Sequence, residues 1–467
     1  MSETSPRRPD TALAPTASPS PAGAPAGGDP GISARSAGLR LALLFGPAVF
    51  GVTAAGVALP EVSAALGAPP SSVVWVLTAH ALALGVGTAL FGRLADSLGA
   101  RRTLLIGAVL LVVGTVVCLV APALGVVVAG RFVLAAGSGA MSAVALALAA
   151  SSPPDRRPAV LMIFGAAMAF FAAGATLAGG VVTAGLSWRV TLVLPALSLA
   201  AVPLCLRLAS TRTGSGRPMD LAGAGLLTLA AGSLLVLIQA PALSLPPTAL
   251  MVTAILGLLG AGLLVARTVR RTDGFIPASL VTSGPYLLAV AVGSGVYAGL
   301  FAAMFGVPRI LFDDYDWSVL EVGLWLLPGA VVAAVLSRLA GRRGTSAGVF
   351  LVTGTALAGA LLLGAYALVG GGPVFLVLGA SGALAAFAVT QVVMTGFVSP
   401  RIPLPQRGAG MGLLNLTFFL GGAVGSAAAG ALSGVLGPAP GLAAVMVLPF
   451  LSGLVALALT RFGDPRD

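Results

Sequence analysis

Eleven apolar stretches of this chain carry no Asp, Glu, Lys or Arg: 41–60, 62–91, 103–130, 132–154, 158–188, 190–206, 221–266, 274–308, 322–337, 344–400 and 408–460. A helix needs about 20 apolar residues to cross the hydrocarbon of a bilayer. Inside lipid the backbone must satisfy its own polar groups, which leaves helices as the natural spanning form for apolar runs of this length. Three runs hold two helices each, and each of the three has a breaker in place. Pro241 with Pro246-Pro247 divides 221–266, Gly370-Gly371-Gly372-Pro373 divides 344–400, and Gly437-Pro438-Ala439-Pro440 divides 408–460. The pattern predicts an all-α polytopic membrane protein with fourteen spans. Composition agrees: charged residues are 8% of the chain, against about 25% in soluble domains.

The net charge of +11 comes from 25 arginines without a lysine. With an inner N-terminus, 22 of them fall in the tails or inner loops, Arg189 and Arg309 fall outside, and Arg131 lies within a span. That is the positive-inside distribution, so the basic charge speaks for topology and not for nucleic acid. An even span count puts both termini in the cytoplasm. Residues 1–38 are rich in Pro, Ala, Ser and Gly, lack the apolar core of a signal peptide, and are expected to form a disordered cytoplasmic tail. Cys118 and Cys205 sit singly in apolar runs, with no metal or redox spacing. No metal site or cofactor is expected. The four tryptophans, Trp75, Trp188, Trp317 and Trp325, fall near the outer ends of spans, as in an interfacial belt.

Between the second and third runs lies Gly92-Arg93-Leu94-Ala95-Asp96-Ser97-Leu98-Gly99-Ala100-Arg101-Arg102. Ser337-Arg338-Leu339-Ala340-Gly341-Arg342-Arg343-Gly344 repeats its first part at a constant offset of 245 residues. Span 10 therefore echoes span 2. Two six-span halves, 39–209 and 272–461, are expected to flank two inserted helices in 210–271, with a short cytoplasmic tail at 462–467. Parallel repeats of this kind mark a class of secondary transporters with the substrate site between the halves.

The Gly92–Arg102 loop resembles motif A of the major facilitator superfamily, matching at Gly92, Asp96 and Gly99. Further segments resemble the fourteen-span drug:proton antiporters. They are Ala58-Leu59-Pro60, Trp75–Ala79, Gly179-Gly180, Trp188-Arg189, Asp220, Glu321-Val322-Gly323, Pro328-Gly329 and Gly408–Asn415. Within that family the chain is most similar to Gram-positive tetracycline and multidrug efflux proteins, over about residues 40–460. It also departs from them. Gly51 stands where the family often has an acid, Ala175-Thr176 replaces a Gly-Pro, and Leu134 replaces a Gln. The membrane acids of tetracycline exporters are missing from Phe171–Gly174 and Leu420–Gly422.

The resemblance implies that Gly92, Asp96, Gly99, Arg101 and Arg102 form a gate, with Asp96 pairing to an arginine or a helix N-terminus in one state only. Candidate coupling residues are His80, Arg131 and Glu61. A charge within a span usually faces a partner or cavity. Arg131 stays protonated, so it tunes a neighbour or binds an anion. His80 is the only histidine, and its unperturbed pKa of about 6.5 suits proton exchange. A structural role as a satisfied core group is the plainer alternative for both. Glu61 is equally consistent with a solvated boundary charge. Asn415, Gln391, Tyr297, Phe301 and Phe171 are candidate substrate contacts, with Gln239, Phe170, Phe305 and Phe418 as lesser ones; helix packing is the alternative use of all of them. Asp313, Asp314 and Asp316 read as a solvated outer loop, and Ser318 with Glu321 as a capping box.

These features point to a multi-pass protein of the bacterial inner membrane, acting as a monomer. It is expected to export small amphipathic compounds in exchange for protons by alternating access. Proton-independent uptake or exchange of a metabolite, and a sensor or partner role without transport, stay open. Enzyme chemistry finds little to build on, with one histidine, few acids and no H-E-x-x-H.

Overall fold

A computed structural model describes residues 1, 32–51, 53–68, 70–73, 75–210, 212–216, 219–238, 240, 245–271 and 274–462. Gln239, the breaker at Pro241, most of the N-terminal tail and the end of the C-terminal one lie outside the described residues.

The described residues are almost wholly helical. In order they form α1 (Ala34–Phe45), α2 (Thr53–Leu66), α3 (Pro70–Val73), α4 (Trp75–Leu98), α5 (Ala100–Val120), α6 (Leu124–Ala150), α7 (Arg157–Gly185), α8 (Trp188–Leu192), α9 (Val202–Ser210), α10 (Leu221–Ile238) and α11 (Pro247–Arg270). After these come α12 (Ala278–Val281), α13 (Gly284–Tyr315), α14 (Val319–Val369), α15 (Pro373–Val398), α16 (Arg407–Leu436), α17 (Pro438–Val445) and α18 (Val447–Ala456). Helix α1 takes in residues 34–38, capped by the Ser33 hydroxyl on the Ser36 amide at 3.2 Å, so order begins before the expected tail boundary.

Among the described residues, eleven helices are long and apolar enough to cross a membrane, or twelve with α7 as one bent span. The bend, 50°, separates Arg157–Ala172 from Leu177–Gly185. Length and composition thus fall short of fourteen, for two visible reasons. Helix α14 runs 51 residues through a break at Gly344, and Leu194–Ser210 is apolar but short.

The break in α14 carries the repeat. Gly344 has φ 82° and ψ −179°, while Gly99, its counterpart 245 residues earlier, has φ 91° and ψ 155°. Positive φ at these values is open only to glycine without strain. The same backbone device ends two helices at matching places in the repeat.

Helix α4 packs on α6 and α5 on α6; α13 packs on α16, and α14 on α15. The N-terminal and C-terminal helices meet along two seams, α4 with α16 and α7 with α14 and α15. Helices α10 and α11 pair with each other, and α10 packs on α4 and α16. Small residues make the close approaches. A Cβ on Gly412 would lie 2.6 Å from the Thr88 carbonyl, and one on Gly179 2.6 Å from that of Ala54. Gly174, by contrast, faces open space beside the bend in α7. The Ser318–Glu321 capping box is formed, with the Ser318 amide 2.7 Å from Glu321 Oε2. Asp313 and Asp314 belong to the last turn of α13 rather than to a loop, and Arg309 reaches Asp313 at 3.5 Å. Trp188 is buried among Ala55, Ala58 and Val62, so it packs a core and leaves the expected belt, whereas Trp325 is exposed.

Candidate functional site

Three groups of polar or aromatic residues lie buried between helices, and the first is the loop after α4. Gly99 ends the helix and turns the chain. Asp96, one turn earlier, points its carboxylate into a ring of donors. The Gly408 amide donates to Oδ1 at 2.9 Å and the Ala409 amide to Oδ2 at 2.6 Å. Both amides are at the N-terminus of α16, where unpaired N–H groups and the helix dipole favour an anion. The Arg212 guanidinium pairs with Oδ1. Arg212 is itself held by the Ala147 carbonyl at 3.1 Å and the Ser151 hydroxyl at 2.8 Å. One carboxylate therefore ties α4 to α16 and to the segment after α9.

Glycines allow this approach. Gly92 lies against the Gly408 carbonyl and Gly412, leaving no room for a Cβ. Of the five residues expected in the gate, Gly92, Asp96 and Gly99 converge here. Arg101 and Arg102 are exposed at the start of α5, outside the ring of donors. Arg212 escaped the sequence reading. Its loop lacks a motif, and only folding brings it 116 residues back to Asp96.

The second group surrounds Arg131, which is fully buried. Its guanidinium donates to the Leu192 carbonyl at 2.6 Å, the Val76 carbonyl at 3.4 Å and the Gly51 carbonyl. These are backbone groups from three other elements. His80 is also fully buried, and neither ring nitrogen has a hydrogen-bond partner. Its ring lies directly over Gly51, in the space that a side chain at 51 would fill. The sequence placed His80 and Arg131 at similar depth; the fold brings them together around Gly51. Glu61 is exposed and stays out of this cluster.

The third group is aromatic. The Tyr297 hydroxyl donates to Gln391 Oε1, and the Gln391 amide reaches Thr395 Oγ1 at 3.5 Å. Tyr297 stacks with Phe301 at 6.4 Å between centroids and meets Phe387 and Phe418 at 4.8 and 5.0 Å. Phe419 joins Tyr297 at 5.9 Å and contacts Phe45 of α1 at 6.3 Å. The cluster therefore bridges N-terminal and C-terminal helices. Phe45, Phe387 and Phe419 were missed, because an aromatic in an apolar run gives no sign of which face it takes. Phe171 lies apart, packed on Phe50 at 5.5 Å and against Gly46. Phe170 and Phe305 are exposed. Asn415 is buried with both amide atoms unpaired, an uncommon state for a buried polar group.

Such a scaffold, with polar groups buried between two sets of apolar helices, matches known proteins. A crystal structure of the human organic anion transporter MFSD10 superposes with a TM-score of 0.62 at 16% identity, covering 91% of this chain and 99% of that one. The lincomycin resistance protein of Streptomyces lincolnensis is 29% identical over 325 residues, 66% of this chain and 65% of the relative. The match thus spans just under two thirds of that relative's length. The multidrug resistance protein Stp of Mycobacterium tuberculosis is 25% identical over 413 residues, 85% of this chain and 74% of that one. The family model of the Major Facilitator Superfamily matches residues 41–291. With more than half its length so matched and the fold in agreement, the chain belongs to the Major Facilitator Superfamily: it is a multi-pass membrane transporter, not an enzyme.

Proposed function

We propose that this transporter exports small amphipathic drugs or natural products across a bacterial cell membrane, in exchange for protons, by alternating access. The observation that carries the reading is the Asp96 carboxylate, which binds two helices across the α4–α16 seam. Its contacts exist only while the two helices stay together at this end. That is what a latch on one of two states requires. The aromatic cluster around Tyr297 supports an amphipathic substrate, since it joins both sets of helices and places the Gln391 amide among rings. The names of the resistance relatives support export.

Fourteen spans fit this reading if α14 counts as two at Gly344 and Leu194–Ser210 as one short crossing. The halves are then 39–209 and 272–461 with 210–271 inserted, and both termini are cytoplasmic. Asp96 thereby closes the inner side. Coupling is assigned to His80. Arg131 faces it and Cys118 lies close to Arg131, so a proton on His80 stands against a fixed neighbouring cation. Entry of that proton is favourable only when water reaches the ring, which links protonation to the state of the transporter.

The test is a susceptibility panel with and without expression, followed by flux in inverted vesicles under an imposed pH gradient. Accumulation driven by inside-acid vesicles supports proton-coupled export. Flux indifferent to the gradient removes the coupling, and flux in the opposite direction removes export.

A further inference from the structure

The α10–α11 hairpin is mostly lipid-facing, yet one end of it is wired into the latch. Leu258, Val265 and Val269 of α11 are strongly exposed, so α11 offers its apolar face outward. Helix α10 instead lies along the α4–α16 seam. There Leu82 of α4, Ala231 and Leu235 of α10, and Leu416 and Phe419 of α16 line one narrow apolar crevice.

At the Asp96 end, Asp220 precedes α10 and gathers four donors. Arg267 of α11 binds it in a fork, Nε at 3.0 and 2.9 Å and Nη2 at 2.6 Å. The Gly223 amide caps it at 3.0 Å, and the Phe275 amide donates at 3.1 Å. Phe275 is buried and packs so closely on Gly223 that a Cβ there would lie 2.6 Å from it. Asp220 thus fixes the segment that leaves the hairpin.

That segment touches both sides of the latch. Arg93, three residues before Asp96, donates to the Gly274 carbonyl at 2.7 Å. Ser279 donates to Gln406 at 3.3 Å, and Leu280 lies against Gly410. Gln406 and Gly410 flank Gly408 and Ala409, the residues that hold Asp96.

We propose that the inserted hairpin is a stay for the inner latch, and that Asp220 is the positioning residue that couples them: it pins Phe275, and so holds the segment Gly274–Leu280 against Arg93 at one end and the N-terminus of α16 at the other. The proposal rests on the reading of Asp96 as a latch. Arg267 holds the Asp220 carboxyl well below the usual carboxylate range, so the stay is permanent and not a pH switch.

A reporter cysteine at Leu416, buried in the seam, tests it in the full-length protein with Cys118 and Cys205 replaced by serine. The probe is a membrane-impermeant maleimide applied from the Asp96 face. Asp220→Asn is expected to raise the labelling rate about fivefold, within the usual range for coupling between sites. Asp96→Asn with Asp220→Asn should label no faster than Asp96→Asn alone. Arg93→Met, which leaves the Asp220–Arg267 pair intact, should also speed labelling. The charge swap Asp220→Arg with Arg267→Asp restores an ion pair within the hairpin but not the acceptor for the Phe275 amide, so labelling should stay fast. Wild-type labelling in Asp220→Asn and Arg93→Met, additivity with Asp96→Asn, or full rescue by the swap would each overturn the stay. If Asp96→Asn itself leaves labelling unchanged, it is the latch reading that fails.

Discussion

Replacing Asp96 by Asn keeps the size of the side chain and removes its charge. In the structure two backbone amides and one guanidinium converge on the carboxylate. A hydrogen bond to an ionised group contributes about 1.5–3 kcal/mol and a neutral one about 0.5–1.5 kcal/mol. Losing the charge therefore removes about 1 kcal/mol per bond, or about 3 kcal/mol over three bonds. The Asn amide also turns a donor toward a donor. A change of about 3 kcal/mol shifts a two-state equilibrium about 150-fold toward the open latch. Labelling of a cysteine at Leu416 from the Asp96 face should rise at least about tenfold, while substrate export in vesicles falls and the amount of protein in the membrane is unchanged. The expected order of effects is strict: Asp96→Asn should exceed Arg101→Gln and Arg102→Gln, because those arginines are exposed and outside the ring of donors. Wild-type labelling and export in Asp96→Asn, or a larger effect from the exposed arginines, contradicts the assignment.

The other expectations follow from the remaining groups. His80→Phe should leave the fold intact and uncouple export from a pH gradient, measured as drug flux in vesicles at fixed substrate concentration; normal pH-driven flux would remove His80 from coupling. Gly99→Ala and Gly344→Ala should each lower stability by about 1–3 kcal/mol through their positive φ, whereas Gly354→Ala, in a helix and facing open space, should be neutral or raise it by about 0.5–1 kcal/mol; thermal unfolding in detergent checks the contrast. Tyr297→Phe leaves Gln391 without its donor and should destabilise by about 1–3 kcal/mol, with a weaker substrate KM in transport assays. For Asp220, a carboxylate held below its ordinary pKa contributes stability above the unfolded value and loses it as pH falls through the folded one. The stability gap between the protein and Asp220→Asn should thus stay flat from pH 5 to 8 and close only below about pH 4.

The backbone plan was legible because lipid imposes it. Charge-free runs place helices, and the offset between Gly99 and Gly344 places the repeat, whose glycines share a left-handed break. The donors to Asp96 were foreseen as a class, an arginine or a helix N-terminus, and the structure supplies both. Their identities were hidden, since Arg212 reaches Asp96 across 116 residues. Faces were harder still. In a chain with apolar residues all round each helix, periodicity does not separate Tyr297, buried in the aromatic cluster, from Phe305, eight residues on and exposed. The span count blurred for a different reason: Arg338, Arg342 and Arg343 separate two charge-free runs, yet helical hydrogen bonding continues through them and only the Gly344 torsion divides α14.

Gly51 and His80 are best understood together. Antiporters that this chain resembles often carry an acid at the place of Gly51, and here a side chain at 51 would occupy the volume of the His80 ring. An acid at 51 and an imidazole at 80 are therefore mutually exclusive in this packing. Arg131 binds the Gly51 carbonyl and the Val76 carbonyl, one helical turn before His80. Its position is set by backbone, which either side chain would leave in place. A buried imidazole with no partner costs about 1–3 kcal/mol relative to a satisfied one. Retaining that cost beside a fixed cation makes poor sense for packing alone, since Phe or Leu would fill the same space without it. Under the proposed mechanism it has a use: the ring is kept free of partners in the closed state, so that water and a proton reach it only when the helices part.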